Sequence, residues 1–183
     1  MHKFILIEGC NYKDYPVGGI LSFSKQLIRV YGNKIALVGM GDKDDPLGVW
    51  FKKKIGDIYF DYFAFMKYSP NIIKPKIPLR LTTYINLRRY KNEILSLGVQ
   101  AAFARSHEIF KVIINWHFKS ICFFFPGVGN PLETSRYKWA RPFFYLFDYW
   151  FFKGALKANV LLAAADSDAV KATKKEMRWY LKK

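Results

Sequence analysis

The chain has 183 residues, enough for one domain around a single core, and its 51% apolar content argues against disorder. Lys and Arg number 30 against 14 Asp and Glu, a net charge of +16 that calls for an acidic partner: nucleic acid, an anionic membrane or a phosphorylated substrate. The two cysteines lack the spacing of a metal site or redox pair, which points to buried free thiols in a reducing compartment.

From the N-terminus, Lys3–Ile7 reads as a short strand, and Glu8–Pro16 supplies the Gly, Asn, Asp and Pro of a loop. Gly18-Gly19 opens a helix over Ile20–Tyr31, whose Ile20, Phe23, Leu27 and Val30 recur at offsets of three and four. Gly32-Asn33 ends it, and Lys34–Val38 is the next strand. Strand, helix, strand is a βαβ unit and implies a parallel sheet.

Gly48–Ile55 and Ile58–Phe65 read as strands, and Ser69–Pro78 as a proline-bearing loop. A basic helix is expected over Leu79–Leu97, a strand over Val99–Ala104 and a short helix over Ser106–Trp116. Ile121–Phe125 has the near-continuous apolar run of a central parallel strand. Then follow a Gly- and Pro-rich loop, Pro126–Ser135, an aromatic helix from about Tyr137 to Lys157, and a strand over Asn159–Ala164. Asp166-Ser167-Asp168 caps a final helix. The fold class expected is α/β: one Rossmann-like open, mostly parallel sheet with helices on both faces, spanning 1–183.

No apolar run is long enough to span a bilayer, and Phe4–Ile7 is too short for a secretory leader. In such sheets ligands bind beyond the carboxyl ends of the strands. Gly9–Gly19, Arg105–Glu108, Pro126–Ser135 and Ala165–Asp168 leave strands there and are polar or glycine-bearing. Gly18 and Gly19 before a helix offer free N–H groups to a phosphate, although a tight turn alone would also want them. Neither the dinucleotide fingerprint nor the P-loop pattern is present. His107 beside Glu108 could orient a hydroxyl or hold an anionic group, or simply pack at a helix start. Gly129 and Asn130 with Arg136 could wrap a ligand. Three unclustered histidines make a catalytic zinc unexpected, and no nucleophile elbow is seen.

These parts resemble the N-terminal domain of glycosyltransferase family 4, the retaining transferases of GT-B fold. The resemblance rests on Tyr15-Pro16-Val17-Gly18-Gly19 and its helix, on Lys34–Gly39, and on Ala104-Arg105-Ser106-His107-Glu108. Pro126-Gly127-Val128-Gly129-Asn130-Pro131-Leu132 with Ser135-Arg136-Tyr137 is similar to a loop of members that build bacterial surface polysaccharides. Ala158–Ser167 resembles the family's last strand, although Asn159 stands where many members have aspartate and Pro126 where relatives often carry histidine.

The resemblance implies that Gly18 and Gly19 face the donor phosphates and that His107 acts catalytically near the transferred sugar. Glu108, Gly129, Asn130 and Arg136 would then hold the acceptor. It implies no metal or other cofactor, with a nucleotide sugar as co-substrate and a glycan or lipid-linked acceptor as partner. It also implies a second, nucleotide-sugar-binding domain, absent before Lys183, so that this chain is a domain cut from a longer enzyme or half of a split one, inactive alone. The charge then suits a cytoplasmic protein peripheral to the inner face of the plasma membrane. Arg80, Arg88, Arg89, Arg141, Phe143 and Trp150 would meet the anionic lipid surface. Two other readings stand beside it: a non-catalytic subunit of a split transferase, and a basic nucleic-acid-binding module, which is favoured by charge but carries no recognised motif.

Overall fold

In a computed structural model, residues 2–68, 77–125, 138–163, 171, 174 and 175 are described. Seven strands form one sheet: β1 (Phe4–Ile7), β2 (Ile35–Gly41), β3 (Trp50–Ile55), β4 (Ile58–Lys67), β5 (Ala101–Ala104), β6 (Ser120–Phe125) and β7 (Val160–Ala163). Their order is β3-β4-β2-β1-β5-β6-β7. Every neighbouring pair is parallel except β3 and β4, which form an antiparallel hairpin at one edge. The hairpin turns at Gly56, where φ is 61° and a glycine avoids the left-handed penalty. The open, mostly parallel α/β sheet expected from the sequence is the observed fold.

The helices are α1 (Gly19–Tyr31), α2 (Leu79–Arg89), α3 (Lys91–Leu95), α4 (His107–Ile113) and α5 (Phe144–Ala155). Strand side chains alternate between two cores. Leu6, Leu37, Tyr62 and Phe103 point to the face covered by α1, through Phe23, Leu27 and Ile28. Ile5, Ile7, Val38, Phe63, Ala104 and Phe123 point to the other, beneath Leu87 of α2, Ile94 of α3, Ile109 and Phe110 of α4, and Phe151 of α5. On that face α4 contacts both α2 and α5. Cys10 is buried as expected, whereas Cys122 is only partly so; both are free thiols.

Two elements differ from expectation. The single helix over Leu79–Leu97 is broken at Tyr90, which leaves the helical region at φ −96° and ψ 22°. Its ring packs edge-on against Phe63, 5.7 Å between centroids. Residue 48 must be glycine beneath that ring, because a Cβ there would lie 2.7 Å from it. A tertiary contact therefore sets the break. The aromatic helix begins later than Tyr137: Lys138–Phe143 is a 3-10 segment containing Pro142, and the α-helix starts at Phe144.

Candidate functional site at the switch point of the sheet

The chain runs from β1 outward to β2 on one side, and β5 takes its place on the other side of β1. The carboxyl ends of β1 and β5 thus flank the point where strand order reverses, where a crevice opens in sheets of this kind. Three segments meet there: the loop after β1, the first turn of α1, and the β5–α4 connection.

The loop after β1 is built around Asn11, which is buried. Its Oδ1 accepts the N–H groups of Lys13, Asp14 and Tyr15 at 3.0, 3.0 and 2.9 Å. Its Nδ2 donates to Asp14 at 2.6 Å and to Asp42 at 3.2 Å. Tyr12, in the left-handed region at φ 60°, sends its hydroxyl under the sheet to the carbonyls of Leu6 and Val38 at 2.8 and 2.9 Å. Burial drives that phenol well above its ordinary pKa, so it stays a neutral donor. Gly39 is the seat for this loop: a Cβ there would strike the Cys10 carbonyl, the Tyr12 ring and the Tyr62 hydroxyl.

Beside it, the loop after β2 is fastened by two lysines. Lys67 donates to the carbonyls of Asp42, Lys43 and Asp45, the first two at 3.1 and 2.8 Å. Lys53, 7% exposed, pairs with Asp42 at 3.0 Å and with Asp45. These residues hold the rim, Lys53 through ion pairs and Lys67 through backbone carbonyls.

Gly18 caps α1 at φ 143°, a conformation that side chains resist, and the space around its Cα is open. Gly19 begins the helix. No acidic residue occupies the first turn, and its cap residue makes no side-chain hydrogen bond to it, so the helix dipole there is left uncompensated by the chain's own acids. Arg105, 86 residues away, donates Nη1 to the Gly19 carbonyl at 2.6 Å. Its guanidinium lies 4.9 Å from the Phe23 ring centroid and 5.1 Å from that of Phe124. The positive turn of α1 is thereby tied to the end of β5.

Glu8, immediately after β1, is 0% exposed. Its Oε1 has no hydrogen-bond partner among the described residues, and its Oε2 lies 3.5 Å from Ser106 Oγ. Burial raises its pKa to about 8; Arg105 opposes the shift, Glu108 adds to it and Ser106 opposes it. A protonated carboxyl is therefore enclosed at the switch point.

His107 and Glu108 open α4 at the same edge. The His107 ring sits among aromatic rings, 5.6, 5.8 and 4.6 Å from the centroids of Phe123, Phe147 and Phe151. Burial, with Arg80 nearby, lowers its pKa to about 4, so at neutral pH it is an uncharged hydrogen-bonding group. Burial also raises Glu108 above the usual carboxylate range, against the pull of Arg80.

The structure brings Gly18, Gly19, His107 and Glu108 to one edge and places Arg80 of α2 close enough to act on the last two. Arg80, Arg88 and Arg89 are exposed on α2, and Phe143 and Trp150 are exposed at 56% and 50% at and after the start of α5. The two basic and aromatic groups lie on one face of the sheet but on either side of α4. Gly129, Asn130 and Arg136, and the side chain of Arg141, lie outside the described residues. Sequence reasoning missed Glu8, Asn11 and Tyr12 and gave Arg105 no role. An acid directly following Phe4–Ile7 was the one available signal. Among the described residues, no three His, Cys, Asp or Glu side chains gather as a metal would require. Nor is any helix there long and apolar enough to cross a membrane.

No protein-family model matches the chain, and no curated protein matches it. Solved structures do. A sucrose-phosphate synthase from Thermosynechococcus elongatus superposes over 98% of this chain and 45% of its own, with TM-score 0.59 and 12% identity. An α,α-trehalose-phosphate synthase (UDP-forming) from Burkholderia vietnamiensis covers 100% and 43%, with TM-score 0.52 and 11% identity. An E. coli trehalose-6-phosphate structure bound with UDP-2-fluoro glucose covers 93% and 41%, also with TM-score 0.52 and 11% identity. At such identities the likeness is one of fold, and the chain spans less than half the length of these proteins.

Proposed function

We propose that this chain is the acceptor-side half of a glycosyltransferase, which moves a sugar from a nucleotide-sugar donor to a glycan acceptor in polysaccharide biosynthesis. The observation that carries the reading is the first turn of α1 at the switch point, begun by Gly18 and Gly19 without a side-chain cap and with open space beside Gly18. Its support is that solved structures sharing this fold include a sucrose-phosphate synthase, an α,α-trehalose-phosphate synthase named as UDP-forming and a trehalose-6-phosphate structure bound with UDP-2-fluoro glucose. On this reading Gly18 and Gly19 meet the donor phosphates. Neutral His107 hydrogen-bonds a sugar hydroxyl at the reacting centre, and Glu108 reads the acceptor.

The acceptor class we favour is a lipid-linked sugar diphosphate. Trp139, Phe143, Tyr145, Leu146, Tyr149 and Trp150 are exposed in and around α5, with Lys153 stacked on Tyr149 and Lys111 on Trp150. Aromatic rings flanked by lysines suit the headgroup level of an anionic leaflet, where each cation adds about 1 kcal/mol. Calorimetric titration with a short-chain polyprenyl diphosphate sugar tests this. Binding that weakens on Arg80→Ala or Trp150→Ala supports it. Binding only of soluble sugar phosphates would replace the acceptor class.

A second reading has its own observation. Val160, Leu161 and Leu162 of β7 are each more than 40% exposed, an apolar strand suited to being covered by protein. A non-catalytic subunit of a split transferase would use that strand to dock its catalytic chain, and would lose the docking on Leu161→Lys.

A further inference from the structure

β1 and β5 pair in parallel register, Ile5 with Ala102, Leu6 with Phe103 and Ile7 with Ala104. One step further along, Glu8 stands opposite Arg105. By strand alternation both leave the sheet on the side of Leu6 and Phe103, the side covered by α1. The two side chains carry complementary groups and do not form an ion pair. Among the described residues, the Oε1 of Glu8 is buried without a hydrogen-bond partner, and so is the Nε of Arg105. Arg105 instead spends Nη1 on the Gly19 carbonyl and rests its plane on Phe23 and Phe124. Ser106, the cap residue of α4, makes no side-chain capping bond and turns its hydroxyl toward Glu8.

A buried acceptor and a buried donor left unused on adjoining strand ends define two arrangements of one side chain. With Glu8 neutral, Arg105 has no charge to answer inside the protein and holds the turn of α1. With Glu8 ionised and its proton lost to solvent, an enclosed carboxylate without hydrogen bonds is costly, and Arg105 Nε is the buried unused donor that also carries the opposite charge. We propose that Glu8 and Arg105 are positioning residues for the Gly18–Gly19 turn. Protonated Glu8 leaves Arg105 bound to Gly19, and ionised Glu8 draws Arg105 away and frees the turn.

Among the described groups facing Glu8, Glu108 is a second carboxyl interacting with it, while Cys10, Tyr12 and His107 hold one protonation state near neutral pH. Glu108, from α4, raises the Glu8 pKa and is itself raised by burial. Cys10 and Tyr12, on Glu8's own segment, are both pushed up by burial and stay neutral. His107 is already neutral, and Arg80 of α2 acts on His107 and Glu108. From β2 the contact is a backbone one, the Glu8 N–H donating to Val38 at 3.0 Å. The inference rests on the proposed function only for what the freed turn binds; the movement itself belongs to the unliganded chain.

The test is an NMR titration of the whole chain without ligand. It follows the Glu8 carboxyl carbon, the Arg105 Nε–H and the Gly19 and Ile20 amides from pH 5 to pH 10. The expected result is one shared midpoint near pH 8. In Glu8→Gln the Arg105 and Gly19 signals should stay at the parent's low-pH positions at every pH. Arg105 and Gly19 signals that ignore the Glu8 titration, or a Glu8 midpoint in the ordinary carboxylate range, would overturn the proposal. If Glu8→Gln fails to fold, the parent titration decides by the same criteria. A shared midpoint with no response to added inorganic pyrophosphate would keep the switch and count against the phosphate reading of the turn.

Discussion

Glu8 makes a stability prediction at the scale of one residue. Its folded pKa of about 8 lies above its ordinary 4.5, so between those values the folded chain holds a proton that the unfolded chain has lost. The Glu8 contribution to stability is therefore fully present below about pH 4.5 and declines as pH rises to about 8, by on the order of 5 kcal/mol. Urea denaturation should show that decline in the parent and a flatter profile in Glu8→Gln. The variant should match the parent near pH 4 and exceed it at pH 9. His107 has the opposite sign. Its pKa is depressed to about 4, so its contribution is present above about 6.5 and is lost as pH falls through that window. A second single-residue prediction concerns Gly39, whose hydrogen faces the Cys10 carbonyl, Tyr12 and Tyr62. Gly39→Ala should cost about 1–3 kcal/mol and shift the amide signals of the Asn11 loop. Unchanged signals there would contradict the close seating of that loop on β2.

At the scale of elements, α5 divides cleanly. Phe151 and Phe152 are buried, each 4% exposed, while Tyr145, Leu146, Tyr149 and Trp150 are exposed. Phe151→Ala should cost about 3–5 kcal/mol, because its ring meets Phe110, Phe123 and His107. Trp150→Ala should change stability by about 0.5 kcal/mol and instead lower binding to anionic vesicles in a flotation assay. Equal flotation of parent and variant would remove α5 from any membrane contact. Elements were legible in the sequence where a local pattern determines them. α1 follows from its three- and four-residue spacing between Gly18-Gly19 and Gly32, although its buried residues are Leu21, Ser24 and Ile28, and Val30 of the expected face is 76% exposed. β6 follows from its apolar run, buried at Ile121 and Phe123 and partly buried at Cys122 and Phe124. The break between α2 and α3 was not legible, since Arg88-Arg89-Tyr90 holds no helix breaker. It comes from Tyr90 packing on Phe63 and over Gly48, contacts made only once the sheet has formed.

At the scale of the whole molecule, strand order explains why this edge is the candidate site. β1 and β5 diverge in connectivity while lying side by side, which brings the glycine turn, Arg105 and the His107-Glu108 pair to one edge of the sheet. The glycine turn and the His107-Glu108 pair could be read from the sequence because each is a local motif following a strand. The Glu8–Arg105 relation could not, because it depends on the register between strands about a hundred residues apart. The net charge of +16 also acts at this scale. Vesicle binding should occur with anionic and not neutral lipid and fall as salt rises, since exposed charges are screened beyond a Debye length of about 10 Å at 0.1 M. Binding to generic DNA with an equally steep salt dependence would favour the nucleic-acid reading instead.

The most direct test of the central claim is an amide NMR titration of the chain with uridine diphosphate. The account predicts saturable shifts concentrated on Gly18, Gly19, Ile20 and the Arg105–Glu108 segment, at the switch point of the sheet. Shifts spread over the basic surface without saturation, or confined to another edge of the sheet, would contradict it.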